Sequence, residues 1–181
     1  MSSPLDDPEG NWWDEPVNRR ESIWLGVAGL WSLSIFGWMS GFTRFGDQNP
    51  IGTTYAVEPD EFQEAVAAYK EEADQTDDGY LVPPGDSVYI GGRRFDWDGL
   101  PVVLEADREY DIHLGSYDVQ HGFSVRPESN LSKQINLQVF PDTEWIIPMT
   151  FEESGTYHVI CNEFCGRGHN GMSGRFIVEE S

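Results

Sequence analysis

The chain contains, near its C-terminus, the stretch Cys161-Asn-Glu-Phe-Cys165-Gly-Arg-Gly-His169-Asn-Gly-Met172. This stretch places two thiols, an imidazole and a thioether within twelve residues. Soft sulfur ligands select copper or zinc, and a thioether is a poor ligand for zinc. The combination therefore predicts a copper site. Because thiolates can bridge, two thiols four residues apart would allow two copper ions to share both sulfurs, with one imidazole on each ion.

A second imidazole must come from another part of the chain, and three further histidines are available. His113 and His158 each lie on the polar face of a predicted strand, so we expect both to be surface or interface histidines. His121 lies in Asp118-Val-Gln-His-Gly-Phe, at a turn where a strand begins. We therefore expect His121 to face the sulfur-rich stretch from a neighbouring strand.

These two motifs together resemble the binuclear copper (CuA) domain of cytochrome c oxidase subunit II. The resemblance runs from about Ser87 to the end of the chain, and the spacing of the C-terminal motif makes it specific. It implies that both thiols bridge two copper ions, that each ion takes one imidazole, and that a thioether and a backbone carbonyl are weak ligands. The implied ligands are His121, Cys161, Glu163 through its carbonyl, Cys165, His169 and Met172.

Two other interpretations of the thiols are open. Cysteine pairs in exported domains often form disulfides, and Cys-x-x-x-Cys with a distant His also resembles copper chaperones of the thioredoxin fold. Neither interpretation explains His169 and Met172. The chaperone motif also normally carries a proline where this chain has Gly166.

The composition is strongly acidic. Asp and Glu outnumber Lys and Arg by 32 to 11 in 181 residues, which gives a formal net charge of −21. Such a surface is unsuited to nucleic acid and resembles that of proteins from salt-loving organisms, whose carboxylates keep the folded chain hydrated. Aromatic residues make up 13% of the chain, which argues against a disordered acidic protein.

One segment predicts a membrane helix. Residues 22–43 contain no charged side chain, and 22 residues span roughly 33 Å, the thickness of a hydrocarbon core. Arg19 and Arg20 precede the segment and also suggest a twin-arginine signal, but no small-residue cleavage site follows it. We therefore expect a retained single-pass anchor in the cell membrane. Two arginines before it against Arg44 after it place the N-terminus in the cytoplasm and the copper domain outside.

The pattern divides the chain into four parts. We expect a cytoplasmic tail at 1–21, the membrane helix at 22–43, a linker with a short amphipathic helix at 44–86 and the copper domain at 87–181. In the tail, Trp12 is followed by Trp13, and this pair suits the headgroup level of a membrane or a small contact with another subunit.

The copper domain is predicted to be all-β. Its apolar residues alternate in short runs separated by Gly, Pro, Asp and Asn, which is typical of a Greek-key β-sandwich. The resemblance makes this a cupredoxin-like fold with one N-terminal transmembrane helix. The predicted strands are 88–90, 102–104, 110–114, 122–126, 135–140, 144–151, 156–160 and 175–178.

The resemblance also implies a function. An electron would be accepted from a soluble donor, a cytochrome c or a blue-copper protein, and passed to heme in subunit I, where oxygen reduction is coupled to proton pumping. The family usually has two membrane helices before the copper domain, so a single helix resembles the ba-type branch of heme-copper oxidases. The alternatives are the copper subunit of a nitric oxide reductase and a stand-alone membrane-tethered electron carrier.

Two features near the site have further implications. In many family members an acidic side chain at the position of Glu163 contributes to a magnesium site between subunits I and II. Phe95 and Trp97 match the aromatic segment that lies near the copper in family members, although core packing is an equal explanation. If they are exposed, Trp97 is the candidate contact for the electron donor.

Overall fold

The computed structural model describes residues 16–45 and 52–180, which fall into two compact units. The first contains one helix, and the second contains all of the β-structure. Most of the predicted tail, including the Trp12-Trp13 pair, lies outside the described residues, as do 46–51 of the predicted linker.

Helix α1, Arg19–Phe45, begins three residues before the predicted membrane segment. The side-chain oxygen of Asn18 accepts the backbone N–H groups of Arg20 and Glu21 at 3.0 Å, and the Glu21 carboxylate accepts the N–H of Asn18 at 2.9 Å. This reciprocal capping satisfies N–H groups that a helix N-terminus leaves unpaired, and it extends the helix to Arg19. Its part from Arg19 to Phe42 is long and apolar enough to cross a bilayer.

The second unit is a sandwich of two sheets. One sheet has the strand order β1-β10-β7-β4-β5 and the other β2-β3-β6-β12-β11-β8-β9. Within residues 52–180 the strands are β1 Thr53–Ala56, β2 Asp74–Gln75, β3 Leu81–Val82, β4 Ser87–Arg93, β5 Asp96–Asp98, β6 Val102–Glu105, β7 Glu109–Ser116, β8 His121–Pro127, β9 Ile135–Val139, β10 Thr143–Thr150, β11 Gly155–Cys161 and β12 Ser173–Glu179. All eight predicted strands are present, which confirms the all-β class of this unit.

The core lies between the two sheets. Ile112 and Leu114 of β7 and Trp97 of β5 face Phe123 of β8 and Phe176 of β12, and all five side chains are buried in one hydrophobic cluster. Alternation along each strand is the reason, because it sends every second side chain to the same face of a sheet.

The predicted linker at 44–86 requires a correction. Helix α2, Pro59–Glu72, forms as predicted, and it packs Phe62, Val66 and Tyr69 into the domain. Within residues 52–86, however, three short strands belong to the sheets: β1 pairs with β10, whereas β2 and β3 join the other sheet. These strands are only two to four residues long and lack clear alternation, so they were not recognisable without the partner strands.

His113 was expected at the surface or at an interface, but the domain itself covers it. His113 is 9% exposed, its ring stacks on Tyr89 at 4.0 Å, and its Nδ1 lies 2.6 Å from the Glu144 carboxylate. Alternation places His113 on the outer face of the sheet, but Tyr89 covers that face and itself packs against Phe62 and Tyr69 of α2. His158, in contrast, keeps 43% of its side chain exposed, as expected.

Candidate metal centre

Two adjacent strands bring the first ligand candidates together. His121 is the first residue of β8 and Cys161 the last residue of β11, and these strands run antiparallel with Cys161 opposite Phe123. Both residues therefore lie at the same end of the sandwich. His121 Nδ1 and Cys161 Sγ are 3.9 Å apart.

The remaining candidates lie on the ligand loop, by which we mean residues 162–172 between β11 and β12. The loop is closed at its base, because the N–H of Cys161 donates to the carbonyl of Met172 at 3.1 Å. It is also tied to β8 by a hydrogen bond of 3.0 Å from the N–H of Asn162 to the carbonyl of Gly122. These bonds fix both ends of the loop relative to His121.

The loop turns sharply between Cys165 and His169. Gly166 and Gly168 have φ angles of +132° and +147°, a region that residues with a Cβ rarely adopt. A 3-10 helix follows at His169–Gly171 and leads into β12. The turn directs the His169 ring back toward Cys165, whose Sγ lies 3.7 Å from His169 Nδ1.

All six predicted ligand positions converge at this end of the sandwich. The two sulfur atoms of Cys161 and Cys165 are 3.9 Å apart, and each has an imidazole nitrogen within 3.9 Å. Cys165 Sγ also lies 3.9 Å from Met172 Sδ. On the other side, Cys161 Sγ lies 3.2 Å from the carbonyl oxygen of Glu163. Each thiol thus has one imidazole and one weak donor of its own, and sulfur and imidazole donors of this kind fit copper.

Burial separates most of these donors from water. His121 is fully buried, and Cys161, Cys165 and Met172 are each exposed by 6% or less. Burial, together with the neighbouring Cys161, raises the pKa of the Cys165 thiol to about 11. In the metal-free protein this thiol is therefore protonated at neutral pH, and a bound metal must displace its proton. Both cysteines are free thiols in the structure.

Asp118 orients the His121 ring, a role that was not predicted from the sequence. Its Oδ1 accepts the Nε2–H of His121 at 2.9 Å and the N–H of Val119 at 2.7 Å, while Oδ2 accepts the N–H of Arg94 at 2.9 Å. Burial opposes ionisation, but these hydrogen bonds prevail and lower the pKa of Asp118. With Nε2 engaged, Nδ1 is the nitrogen left to bind a metal. The sequence feature that could have indicated this role is the position of Asp118, three residues before the ligand candidate His121.

Of the two explanations left open for Trp97, the structure supports core packing and not an exposed contact for the donor. Trp97 is 1% exposed, and its ring packs edge-on against His121 at 5.9 Å and Phe123 at 5.2 Å. The core explanation therefore holds for this residue, since it faces the opposite sheet. The exposed aromatic on the ligand loop is Phe164, with 75% of its surface accessible and its ring 6.1 Å from that of His169.

The fold and the donor set together define a class. Rusticyanin from Thiobacillus ferrooxidans matches 72% of this chain over 99% of its own length, with 15% identity and a TM-score of 0.50. At this identity, the likeness shows a shared fold alone. The chain is a cupredoxin-like protein with a cysteine, histidine and methionine site at one end of its sandwich.

Other proteins are similar to this chain at higher sequence identity. No protein-family model matches the sequence. Cytochrome c oxidase subunit 2 of Thermus thermophilus is 33% identical over 94 residues, which are 52% of this chain and 66% of that protein. A second sequence of the same name, also from Thermus thermophilus, is matched over 53% of its length. A chain of a heme-copper terminal oxidase dimer is covered completely, with 28% identity over 89% of this chain and a TM-score of 0.57.

Over these 94 residues the chain is therefore homologous to cytochrome c oxidase subunit 2 of Thermus thermophilus. It spans somewhat less than two thirds of the first of these relatives and about half of the second. The homology and the apolar helix α1 together support a membrane-anchored, single-pass protein.

Proposed function

We propose that this chain is the electron-transfer subunit of a terminal heme-copper oxidase. It accepts electrons from a soluble carrier and passes them to heme in subunit I, where oxygen is reduced and protons are pumped. One observation carries the proposal: in a homologue of subunit II, the six predicted ligand positions converge at one end of the sandwich.

The donors would hold two copper ions. Cys161 and Cys165 would bind both ions, His121 and His169 would bind one each, and Met172 and the Glu163 carbonyl would be the weak donors. A copper pair of this kind supplies a one-electron store whose charge is shared between two ions, so that a change of oxidation state alters bond lengths little.

The surrounding residues keep the donors fixed. Asp118 holds the His121 ring by one hydrogen bond, and the backbone bond from Cys161 to Met172 closes the loop beneath the sulfurs. Burial of both thiols excludes water, which would otherwise rearrange when the charge of the site changes. A rigid, dry set of ligands lowers the reorganisation that accompanies electron transfer.

The remaining features belong to the same proposal. Residues 22–43 cross the cell membrane with the tail at 1–21 in the cytoplasm and the copper domain outside. A single apolar helix before the copper domain supports membership of the ba-type branch, and the net charge of −21 suits a halophilic source. The soluble donor, a cytochrome c or a blue-copper protein, meets the domain near Phe164, the exposed aromatic beside His169.

Copper content tests the proposal directly. We expect the purified full chain, reconstituted with copper, to bind two copper ions and to give a paramagnetic resonance spectrum in which one unpaired electron is shared by two nuclei. One copper per chain, or a single-copper hyperfine pattern, would refute it. In the intact complex we expect oxygen turnover. Turnover of nitric oxide instead, or purification of a monomer without heme, would favour one of the two alternative functions.

The Glu163 carboxylate is free to take part in a magnesium site, because its predicted bond to copper uses the backbone carbonyl. We expect Glu163→Gln to leave copper content unchanged and to reduce both magnesium content and turnover of the intact complex. Glu128→Gln is a control, because Glu128 is exposed and lies near His158 rather than the ligand loop. Unchanged magnesium and turnover in Glu163→Gln would mean that its carboxylate is only solvated.

A further inference from the structure

The β4–β5 turn, residues 94–95, contacts both chain segments that carry the ligand candidates. β4 ends at Arg93 and β5 begins at Asp96, so these two residues alone connect the strands. The turn lies beside the ligand loop on one side and beside the segment that precedes β8 on the other. None of the predicted ligands belongs to it.

The Arg94 side chain contacts the ligand loop. Its Nε donates a hydrogen bond of 3.1 Å to the carbonyl oxygen of Cys165. This carbonyl belongs to the residue whose sulfur lies nearest to both His169 and Met172. The guanidinium group therefore fixes the ligand loop at Cys165.

The Arg94 backbone contacts the other segment. Its N–H donates to Oδ2 of Asp118 at 2.9 Å, and Oδ1 of the same carboxylate accepts the Nε2–H of His121 at 2.9 Å. One residue is thus hydrogen-bonded, directly or through a single carboxylate, to ligand candidates on two separate segments. A displacement of Arg94 would therefore change the position of Cys165 relative to His121.

The neighbouring residue, Phe95, supports the loop from the same side. Its ring lies so close to Gly168 that an added Cβ would be 2.5 Å from a ring carbon, and the corresponding distance at Gly166 is 3.2 Å. The ring therefore occupies the space that the two glycines leave free. It limits how far the segment between Cys165 and His169 can move toward the turn.

The charge of Arg94 is not neutralised by an ion pair within residues 16–45 and 52–180. Arg93, the residue before it, pairs with Asp96 at 3.0 Å, whereas Arg94 takes part in no salt bridge there. Its positive charge therefore acts on the site through the Cys165 peptide. A cation near a redox centre favours the form that has gained an electron, because the added negative charge is attracted to it.

We propose that Arg94 is a positioning residue of the copper site, with two effects. It holds Cys165 and the Asp118–His121 pair in one frame, and its charge stabilises the reduced state. The first effect concerns the protein alone. The second rests on the proposed function, because it requires a bound redox metal.

The test compares Arg94→Gln with Arg93→Gln in the full chain purified in detergent. The two substitutions remove the same charge from adjacent exposed residues, but Arg94 is hydrogen-bonded to the loop, whereas Arg93 pairs with Asp96. In the metal-free protein, we expect Arg94→Gln to accelerate amide hydrogen exchange at His169 and Gly171, whose N–H groups bond within the loop. In the copper-loaded protein, we expect it to shift electron equilibration with a reference couple toward the oxidised form by about threefold to tenfold, where tenfold equals about 59 mV for one electron.

Arg94→Lys separates the two effects. A lysine keeps the charge but cannot place a donor where Nε lies, so we expect a potential near that of the unmodified chain together with faster exchange. Equal exchange in Arg94→Gln and Arg93→Gln would overturn the positioning effect. Equal potentials in these two variants would overturn the charge effect. If the unmodified chain binds no copper pair, the proposed function fails, and metal-free exchange still decides whether Arg94 positions the loop.

Discussion

Replacing Cys161 with serine should abolish the binuclear copper spectrum and reduce copper content from two ions to at most one. Cys161 Sγ lies 3.9 Å from both Cys165 Sγ and His121 Nδ1, at the centre of the donor set. A serine hydroxyl is a harder ligand than a thiolate and does not ionise readily, so it cannot replace a bridge between soft copper ions. Without one of the two proposed bridging thiolates, the two ions would no longer share an electron.

Metal analysis and paramagnetic resonance of the copper-loaded full chain would measure this effect. Asn170→Ser is a suitable control, because Asn170 is an exposed residue of the same loop with no predicted ligand role. We expect the control to retain both ions. A shared-electron spectrum in Cys161→Ser would contradict the bridging role, and its loss in both variants would point to a general disturbance of the loop.

Replacing Trp97 with alanine should destabilise the domain by about 3–5 kcal/mol, the usual cost of removing a large aromatic from a core. Trp97 belongs to the edge strand β5 and is 1% exposed. Its ring packs against the rings of His121 and Phe123. The cavity would lie directly beneath a ligand candidate. We therefore expect copper binding to weaken as well, because the His121 ring would lose its packing support.

Trp97→Phe is the matched comparison. The indole Nε1 has no hydrogen-bond partner among residues 16–45 and 52–180, so a phenyl ring loses volume but no hydrogen bond. We expect a clearly smaller loss of stability than for alanine. Chemical unfolding of the metal-free full chain in detergent, followed by near-ultraviolet circular dichroism, would measure both. A decrease in the free energy of unfolding of less than about 1 kcal/mol for Trp97→Ala would show that this side chain contributes little to the stability of the core.

The buried position of Trp97 also changes how donor kinetics should be interpreted. An exposed tryptophan would act on the donor by contact, whereas a buried one acts through the folded state and through His121. A slower reaction of Trp97→Ala with a donor would therefore report a disturbed site. Phe164 is the residue whose substitution would report contact, because its side chain is exposed on the ligand loop.

Local sequence was sufficient to predict the features that depend on near neighbours. Alternation of apolar residues predicted eight strands, the pattern of residues 44–86 predicted a short amphipathic helix, and the uncharged run of 22–43 predicted most of α1. The spacing of the cysteine motif predicted which side chains could meet on one loop. In each case, the pattern and the structure that it forms lie within a few residues of each other in the chain.

Contacts between distant segments were decided by the tertiary structure. Alternation shows which side chains share a face of a strand, but it does not show what covers that face. His113 was therefore predicted to lie at the surface or at an interface, although Tyr89 of the same domain covers it. Alternation also did not show that the Trp97 side chain faces the opposite sheet, where it packs against Phe123. Strands as short as β2 and β3 form only because a neighbouring strand supplies their hydrogen-bond partners, and the hydrogen bonds of Arg94 and Asp118 exist only once β4, β8 and the ligand loop meet.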